Sequence, residues 1–129
     1  MRVSKQRTLE GALLATGFPY REDERYGDNY YAMLRTLAKL TAGIRRPGSA
    51  ALDLAYVAAG RVDGFWELGL KPWDTAAGTL LIQEAGGRVG TLGGDEYQLG
   101  ANIVAGAPKV YEAMLEALAP HVPEALRHL

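Results

Sequence analysis

The stretch Glu67-Leu-Gly-Leu-Lys-Pro-Trp-Asp74-Thr-Ala-Ala-Gly78-Thr-Leu-Leu-Ile-Gln-Glu84-Ala-Gly86-Gly87 decides the reading of this chain. Pro72 suits a helical first turn, where its missing N–H would have no partner in any case. Gly86 and Gly87 supply the stop at the other end. Between them Thr75, Thr79 and Gln83 mark the polar side of the helix, and Ala77, Leu80, Leu81 and Ala85 are expected to face inward. Asp74 falls in the first turn, where unpaired N–H groups and the helix dipole stabilise an anion. A carboxylate held there stays ionised and suits magnesium, a hard ion that takes oxygen ligands and keeps some of its waters. A plain helix cap is the competing reading, because acidic residues are enriched at helix starts.

Glu67 precedes Asp74 by seven positions, at the end of a predicted strand covering 62–67. Strand ends in α/β sheets face the ligand crevice, so its carboxylate is placed to accept hydrogen bonds from sugar hydroxyls. A solvated loop glutamate is the bland alternative. Upstream, Gly48-Ser-Ala50 opens a helix over 49–59 that is apolar almost all round and broken only by Asp53, which is the pattern of a helix buried on most sides. The N–H groups after Gly48 are free to meet a ligand, while Ser49 serves equally well as a simple N-cap.

Apolar spacing predicts another helix over 29–40, with Asp28 as its N-cap, and a last long helix from Pro108. A short tail helix is expected after Pro123. Short strands are expected at 2–4, 12–16, 44–46, 88–92 and 102–105. A loop follows at 17–20, and a charged, exposed segment at 21–27. Strands alternating with helices give an α/β layered sandwich around a largely covered sheet.

The 129 residues suffice for one domain, and an apolar content of 48% argues for a folded core. With 14 basic and 15 acidic residues, no bulk charge points to nucleic acid or an acidic membrane. The absence of cysteine excludes disulfides and thiolate metal sites. No apolar run is long enough to span a bilayer and the start is no signal peptide, so the expected location is cytoplasmic, away from membranes. His121 and His128 lie in the tail without clustered carboxylates, which argues against zinc. Ser4 and Ser49, the only serines, have no base beside them, so no nucleophilic catalytic residue is assigned. Gly86-Gly87 lacks the lysine and hydroxyl of a P-loop.

Four pieces of the chain together resemble the inositol monophosphatase family, in its bacterial SuhB-type branch. They are Ala15-Thr-Gly-Phe-Pro-Tyr20; the run from Gly48-Ser-Ala-Ala-Leu-Asp53 to Val62-Asp-Gly64; Trp73-Asp-Thr-Ala-Ala-Gly78 with Glu84-Ala-Gly-Gly87; and Asn102-Ile-Val-Ala-Gly106. The resemblance implies the C-terminal half of a layered αβαβα sandwich. It also implies a magnesium-dependent, lithium-sensitive phosphatase of myo-inositol phosphates that forms homodimers. By that resemblance Asp74 is a metal ligand that also approaches the substrate. Glu67 accepts inositol hydroxyls, and the backbone at Gly48, Ser49 and Ala50 lies along the substrate.

The family's other signature, Asp-Pro-Ile/Leu-Asp-Gly-Thr, is absent, together with the upstream glutamate that shares its metals. The chain, residues 1–129, therefore reads as one α/β portion of the family domain. As a phosphatase it is expected to be weak or inactive without the N-terminal half or self-association. Related members acting on fructose 1,6-bisphosphate, histidinol phosphate or 3′-phosphoadenosine phosphates keep a sugar or nucleotide phosphatase open. The SuhB branch also implies a transcription role, with RNA polymerase, Nus factors and ribosomal RNA as partners. Arg45, Arg46 and the basic start Arg2, Lys5 and Arg7 are the sequence features such a role would use.

Overall fold

A computed structural model describes residues 1–17 and 26–127. Most of the expected loop at 17–20 and of the charged segment 21–27 lies outside the described residues, as does His128. Five strands form one sheet: β1 (Leu13–Thr16), β2 (Gly43–Arg45), β3 (Gly64–Glu67), β4 (Arg88–Gly90) and β5 (Ile103–Gly106). Their order is β2-β1-β3-β5-β4. β1 runs parallel to β2 and β3, and β5 is antiparallel to β3 and β4. Residues 2–4, expected as a strand, join no ladder. Val3 instead donates its N–H to Ala85 O at 3.1 Å, which ties an extended arm to the end of a helix.

Four helices cover the sheet: α1 (Gly27–Leu40), α2 (Ala50–Ala58), α3 (Pro72–Glu84) and α4 (Pro108–Leu118). Two 3₁₀ turns, Ala119–His121 and Glu124–Leu126, follow α4, so the expected tail helix is a single turn. The N-cap of α1 is Tyr26, and Asp28 sits inside its first turn, where it still faces the positive end of the dipole.

Alternation along the strands sends Leu14, Trp66 and Val104 to one face, packed with Tyr30, Met33 and Leu37 of α1 and Val110, Met114 and Leu118 of α4. Ala15, Phe65, Ile103 and Ala105 point the other way, against Leu54, Val57 and Ala58 of α2 and Ile82 of α3. The result is three layers, α1/α4, sheet, α2/α3. α2 and α3 pack closely at Gly78, where a Cβ would come within 2.6 Å of Leu54 Cβ.

One sequence expectation fails on α3. Thr75 and Thr79 are buried, while Ala77 and Leu80 face solvent. The threonines can be buried because their hydroxyls find hydrogen-bond partners inside the fold. Thr79 donates to Ala76 O at 3.1 Å, and Thr75 receives a bond from Tyr97 at 3.1 Å.

The carboxyl end of the sheet is fastened by side chains. Thr16 Oγ1 donates to Trp66 O and pairs with the Tyr30 hydroxyl, each at 2.9 Å. At the opposite end Asp63 accepts the Leu13 N–H at 2.7 Å and returns its own N–H to Leu13 O. This double bond between β1 and β3 gives a structural reason for the Val62-Asp-Gly64 sequence.

Candidate active site at the carboxyl ends of the strands

Because β1, β2 and β3 are parallel and in register, Ala15 lies beside Arg45 and Thr16 beside Trp66. The residues that follow, Arg46, Gly17 and Glu67, therefore emerge at one end of the sheet. The connections from β2 to α2 and from β3 to α3 start there too. The N-termini of both helices, and with them Gly48-Ser-Ala50 and Asp74, are thus delivered to the end that carries Glu67. Carboxyl ends of parallel strands facing helix N-termini form the usual crevice of such sheets, with unpaired N–H groups turned towards it.

Glu67 is half-buried and lies directly over Gly17, leaving no room for a Cβ at that position. Burial first, then the charges of Asp53 and Asp74, push its carboxyl up to about 7, while Arg46 pulls it down. Two of the predicted site residues, Glu67 and Asp74, are therefore close enough to sense each other. A third carboxylate that sequence reasoning passed over joins them. Asp53, in α2, is 1% exposed, and neither of its oxygens has a hydrogen-bond partner among the described residues. Desolvation alone raises its pKa to about 6. The signal for it was visible in the sequence as the one charged residue in an otherwise apolar helix.

Asp74 has the geometry of a reach-back cap. As the third residue of α3 it accepts the Lys71 N–H at 2.9 Å through Oδ2, and its own N–H returns to Lys71 O. That bond engages Oδ2, so the cap reading and a ligand role for Oδ1 are compatible. Ser49 caps α2 by accepting the Leu52 N–H at 3.3 Å. Gly48 is exposed and holds a φ of +92°, with nothing within 4 Å of where a Cβ would stand. That open left-handed turn is the backbone shape only glycine adopts readily.

The 68–71 loop between Glu67 and α3 is held from the neighbouring strand. Asn102 Oδ1 accepts the Gly69 N–H at 2.8 Å, and Gly69 itself has a φ of +78°. Tyr97 spans Thr75 and Ala101, its hydroxyl lying 3.1 Å from Thr75 Oγ1 and from Ala101 O. Asn102 and Tyr97 thus fix the start of α3, and with it the position of Asp74. No local sequence signal linked them to it, because both come from a later part of the chain.

The donor set fits one contact to a hard, oxygen-loving ion. Among the described residues no group of three or more Asp, Glu, His or Cys side chains is arranged to hold a metal. Asp53 cannot add to it, its oxygens being closed off from solvent. His121 is a structural contact, with Nε2 2.8 Å from the Thr36 hydroxyl on α1. No helix among the described residues is long and apolar enough to cross a membrane.

A model of the inositol monophosphatase family matches residues 1–127. "Nus factor SuhB" of Pseudomonas aeruginosa is 54% identical over 129 residues, covering 98% of this chain and 48% of its own length. The protein of the same name from Escherichia coli is 52% identical over 128 residues, with the same coverage. Among solved structures, the extragenic suppressor protein suhB of Bartonella henselae superposes with a TM-score of 0.85 at 46% identity, covering 91% of this chain and 45% of that one. The inositol monophosphatase of Anabaena does so with a TM-score of 0.85 at 43% identity, covering 97% of this chain and 52% of that one. The chain spans about half the length of the curated relatives it matches.

Proposed function

The chain belongs to the inositol monophosphatase family, and from that premise we propose that it carries one half of a magnesium-dependent phosphomonoesterase site acting on myo-inositol phosphates. Its sheet and four helices are the C-terminal half of the family's αβαβα fold. The observation that carries the reading is the convergence of Glu67 and Asp74 at the carboxyl ends of the strands, beside the exposed Gly48 turn.

In this reading Asp74 gives one carboxylate oxygen to a magnesium ion and approaches the substrate. Glu67 accepts sugar hydroxyls, and the Gly48, Ser49 and Ala50 backbone lines the substrate. When bound, magnesium supplies Lewis-acid stabilisation of phosphate oxygens. A lone carboxylate does not complete that coordination, so no hydrolytic step is assigned to the chain by itself. Related sugar or nucleotide phosphates are the competing substrates. The order of activities on inositol 1-phosphate, fructose 1,6-bisphosphate and 3′-phosphoadenosine phosphate decides among them.

The test is phosphate release from inositol 1-phosphate across a magnesium titration, with this chain alone and with the N-terminal half of a relative supplied. Hydrolysis is expected only in the second case, and Asp74→Asn is expected to abolish it. Steady hydrolysis by the chain alone that Asp74→Asn abolishes would overturn the proposal that the site is only half present.

One observation favours a second reading. Relatives at 54% and 52% identity bear the name Nus factor. A transcription role through RNA polymerase or RNA would use surfaces such as the exposed Arg45 and Arg46, in place of the metal corner. Pull-down of RNA polymerase that is indifferent to Asp74→Asn supports it.

A further inference from the structure

Two buried hydroxyls sit where β1 and β3 end, and nothing in the proposed chemistry uses them. Thr16 and Trp66 form the last pair of the β1–β3 ladder. Thr16 is 1% exposed, and Tyr30, on α1, is fully buried. Thr16 Oγ1 lies 2.9 Å from both Trp66 O and the Tyr30 hydroxyl, with Gly17 O further off at 3.4 Å. The direction of these bonds follows from proton counting. A carbonyl only accepts, and a threonine hydroxyl has one proton to give. Thr16 therefore donates to Trp66 O and receives from Tyr30. Burial pushes the Tyr30 phenol up to about 12, so the donor keeps its proton wherever Glu67 titrates. The Tyr30 ring also stacks along Trp66, with centroids 6.1 Å apart and 27° between the planes. A chain running from Tyr30 through Thr16 to the Trp66 carbonyl is polarised along its length, and each bond strengthens the next.

The Trp66 carbonyl belongs to the peptide bond that leads into Glu67. Fixing that peptide fixes the direction in which the Glu67 side chain leaves β3. It leaves towards Gly17, the residue after Thr16, and lies so close that no Cβ fits there. Adjacent residues of one strand end thus act on the same glutamate, Thr16 on its backbone and Gly17 on its side chain. We propose that Tyr30 and Thr16 are positioning residues for Glu67, holding its carboxylate over Gly17 in the orientation from which it accepts a hydroxyl of a polyol ring. Neither residue is exposed, so both act through Glu67 and not on a substrate. The inference rests on the proposed phosphatase reading only for the identity of that ring hydroxyl, since the positioning lies wholly within this chain.

The experiment is NMR on this chain alone, as wild type, Tyr30→Phe, Thr16→Val, Thr16→Ser and Thr41→Val. The first readout is the Overhauser contact between the Gly17 α protons and the Glu67 γ protons. The second is the titration midpoint of the Glu67 carboxyl, about 7 in wild type and raised chiefly by burial. The charges of Asp53, Asp74 and Arg46, which also bear on it, are untouched by these variants. Thr16→Val keeps the shape and loses both bonds. It is expected to weaken the contact by about half and to lower the midpoint by roughly half a pH unit or more, as the carboxylate gains solvent. Tyr30→Phe leaves Thr16 bonded to Trp66 O, and is expected to move both readouts the same way by less. Thr16→Ser restores the hydroxyl and with it the wild-type values. Thr41→Val removes a hydroxyl bond to Leu37 O on α1 and leaves Glu67 unchanged. Circular dichroism confirms folding, and Tyr30→Phe, which deletes a single oxygen, carries the test if Thr16→Val does not fold. Wild-type contact and midpoint in the folded variants overturn the proposal. So do equal changes in Thr41→Val, since the effect is then a general loosening of the fold. No readout depends on hydrolysis, so the phosphatase reading and this one fail separately.

Discussion

The two faces of the sheet are covered by the same kind of element to different degrees. On one face α1 and α4 bury Tyr30, Met33, Leu37, Val110, Met114 and Leu118 and turn Asp28, Arg35, Lys39, Lys109, Glu112 and Glu116 to water. On the other, α2 and α3 bury Leu54, Val57 and Ile82 and turn alanines, Leu52, Trp73 and Leu80 outward. The first pair of helices is charged on most of its outer surface, with Tyr31 and Leu40 the exposed apolar exceptions. The second is built as an interior layer, and the residues expected to make the metal corner sit at its edge. The exposed apolar layer and the proposed site thus share a location.

The sharpest way to break that contrast is to truncate one leucine from each pair. Leu37 is fully buried in α1, and Leu37→Ala is expected to destabilise the chain by about 2–5 kcal/mol in denaturant titration. Leu80→Ala is expected to stay within about 0.5 kcal/mol, because an exposed side chain loses no core contacts. Equal losses would mean that the α2/α3 face is already covered in this chain by itself.

Gly17→Ala comes next. The added Cβ lands on the Glu67 carboxylate, and relieving such a clash costs about 1–3 kcal/mol, at the lower end when a flexible side chain can yield. Glu67 is then displaced towards solvent, so its carboxyl is expected to fall from about 7 towards the ordinary range. Side-chain NMR titration reads this directly. An unchanged value would mean that Glu67 is not held over Gly17.

Asp53→Asn acts on the same glutamate, with the opposite sign for stability. The folded chain holds the Asp53 proton up to about 6, against 3.8 ordinarily. Wild-type stability therefore declines as pH rises through that window and levels off above it. The asparagine variant lacks this decline. It is expected to be about 1–3 kcal/mol more stable than wild type at pH 8, with most of the gain gone at pH 4 and the rest below pH 3. Removing the Asp53 charge is also expected to lower the Glu67 value. A gain equal at both pH values would rule out ionisation as its cause.

How much of this was legible in the sequence follows the range of the interactions. Pro72 and the paired glycines delimit α3, which runs from Pro72 to Glu84, because both are local backbone constraints. Five of the expected strands appear within two residues, since alternation in apolar runs is also local. The sidedness of α3 was misread because polar residues are normally turned to water. Here Thr79 finds an acceptor in its own helix, and Thr75 is paired with Tyr97, more than twenty positions later. Asn102 was similarly invisible as the anchor of Gly69, because 33 positions separate them. Residues 2–4 had strand composition but no neighbouring strand to pair with, which composition alone does not reveal. Asp53 was read as an interruption of an apolar helix, and only the structure shows it to be a closed-off carboxylate whose charge reaches Glu67.

The smallest expected effect on stability belongs to the residue with the largest expected role. Asp74→Asn keeps an oxygen in place to accept the Lys71 N–H, so the bond that caps α3 survives. What disappears is the negative charge at the positive end of the helix, worth about 0.3–1 kcal/mol at low salt and less when screened. Thermal melts in low and high salt should therefore differ between wild type and variant by a few tenths of a kcal/mol, with the gap closing as salt is added. Such a small change, with loss of magnesium-dependent hydrolysis in the assembled pair, separates the two roles of the carboxylate. The cap needs only an acceptor oxygen, while the ion needs the charge. A loss of several kcal/mol in the chain alone would instead make Asp74 a structural residue, and the metal corner would lose its one candidate ligand.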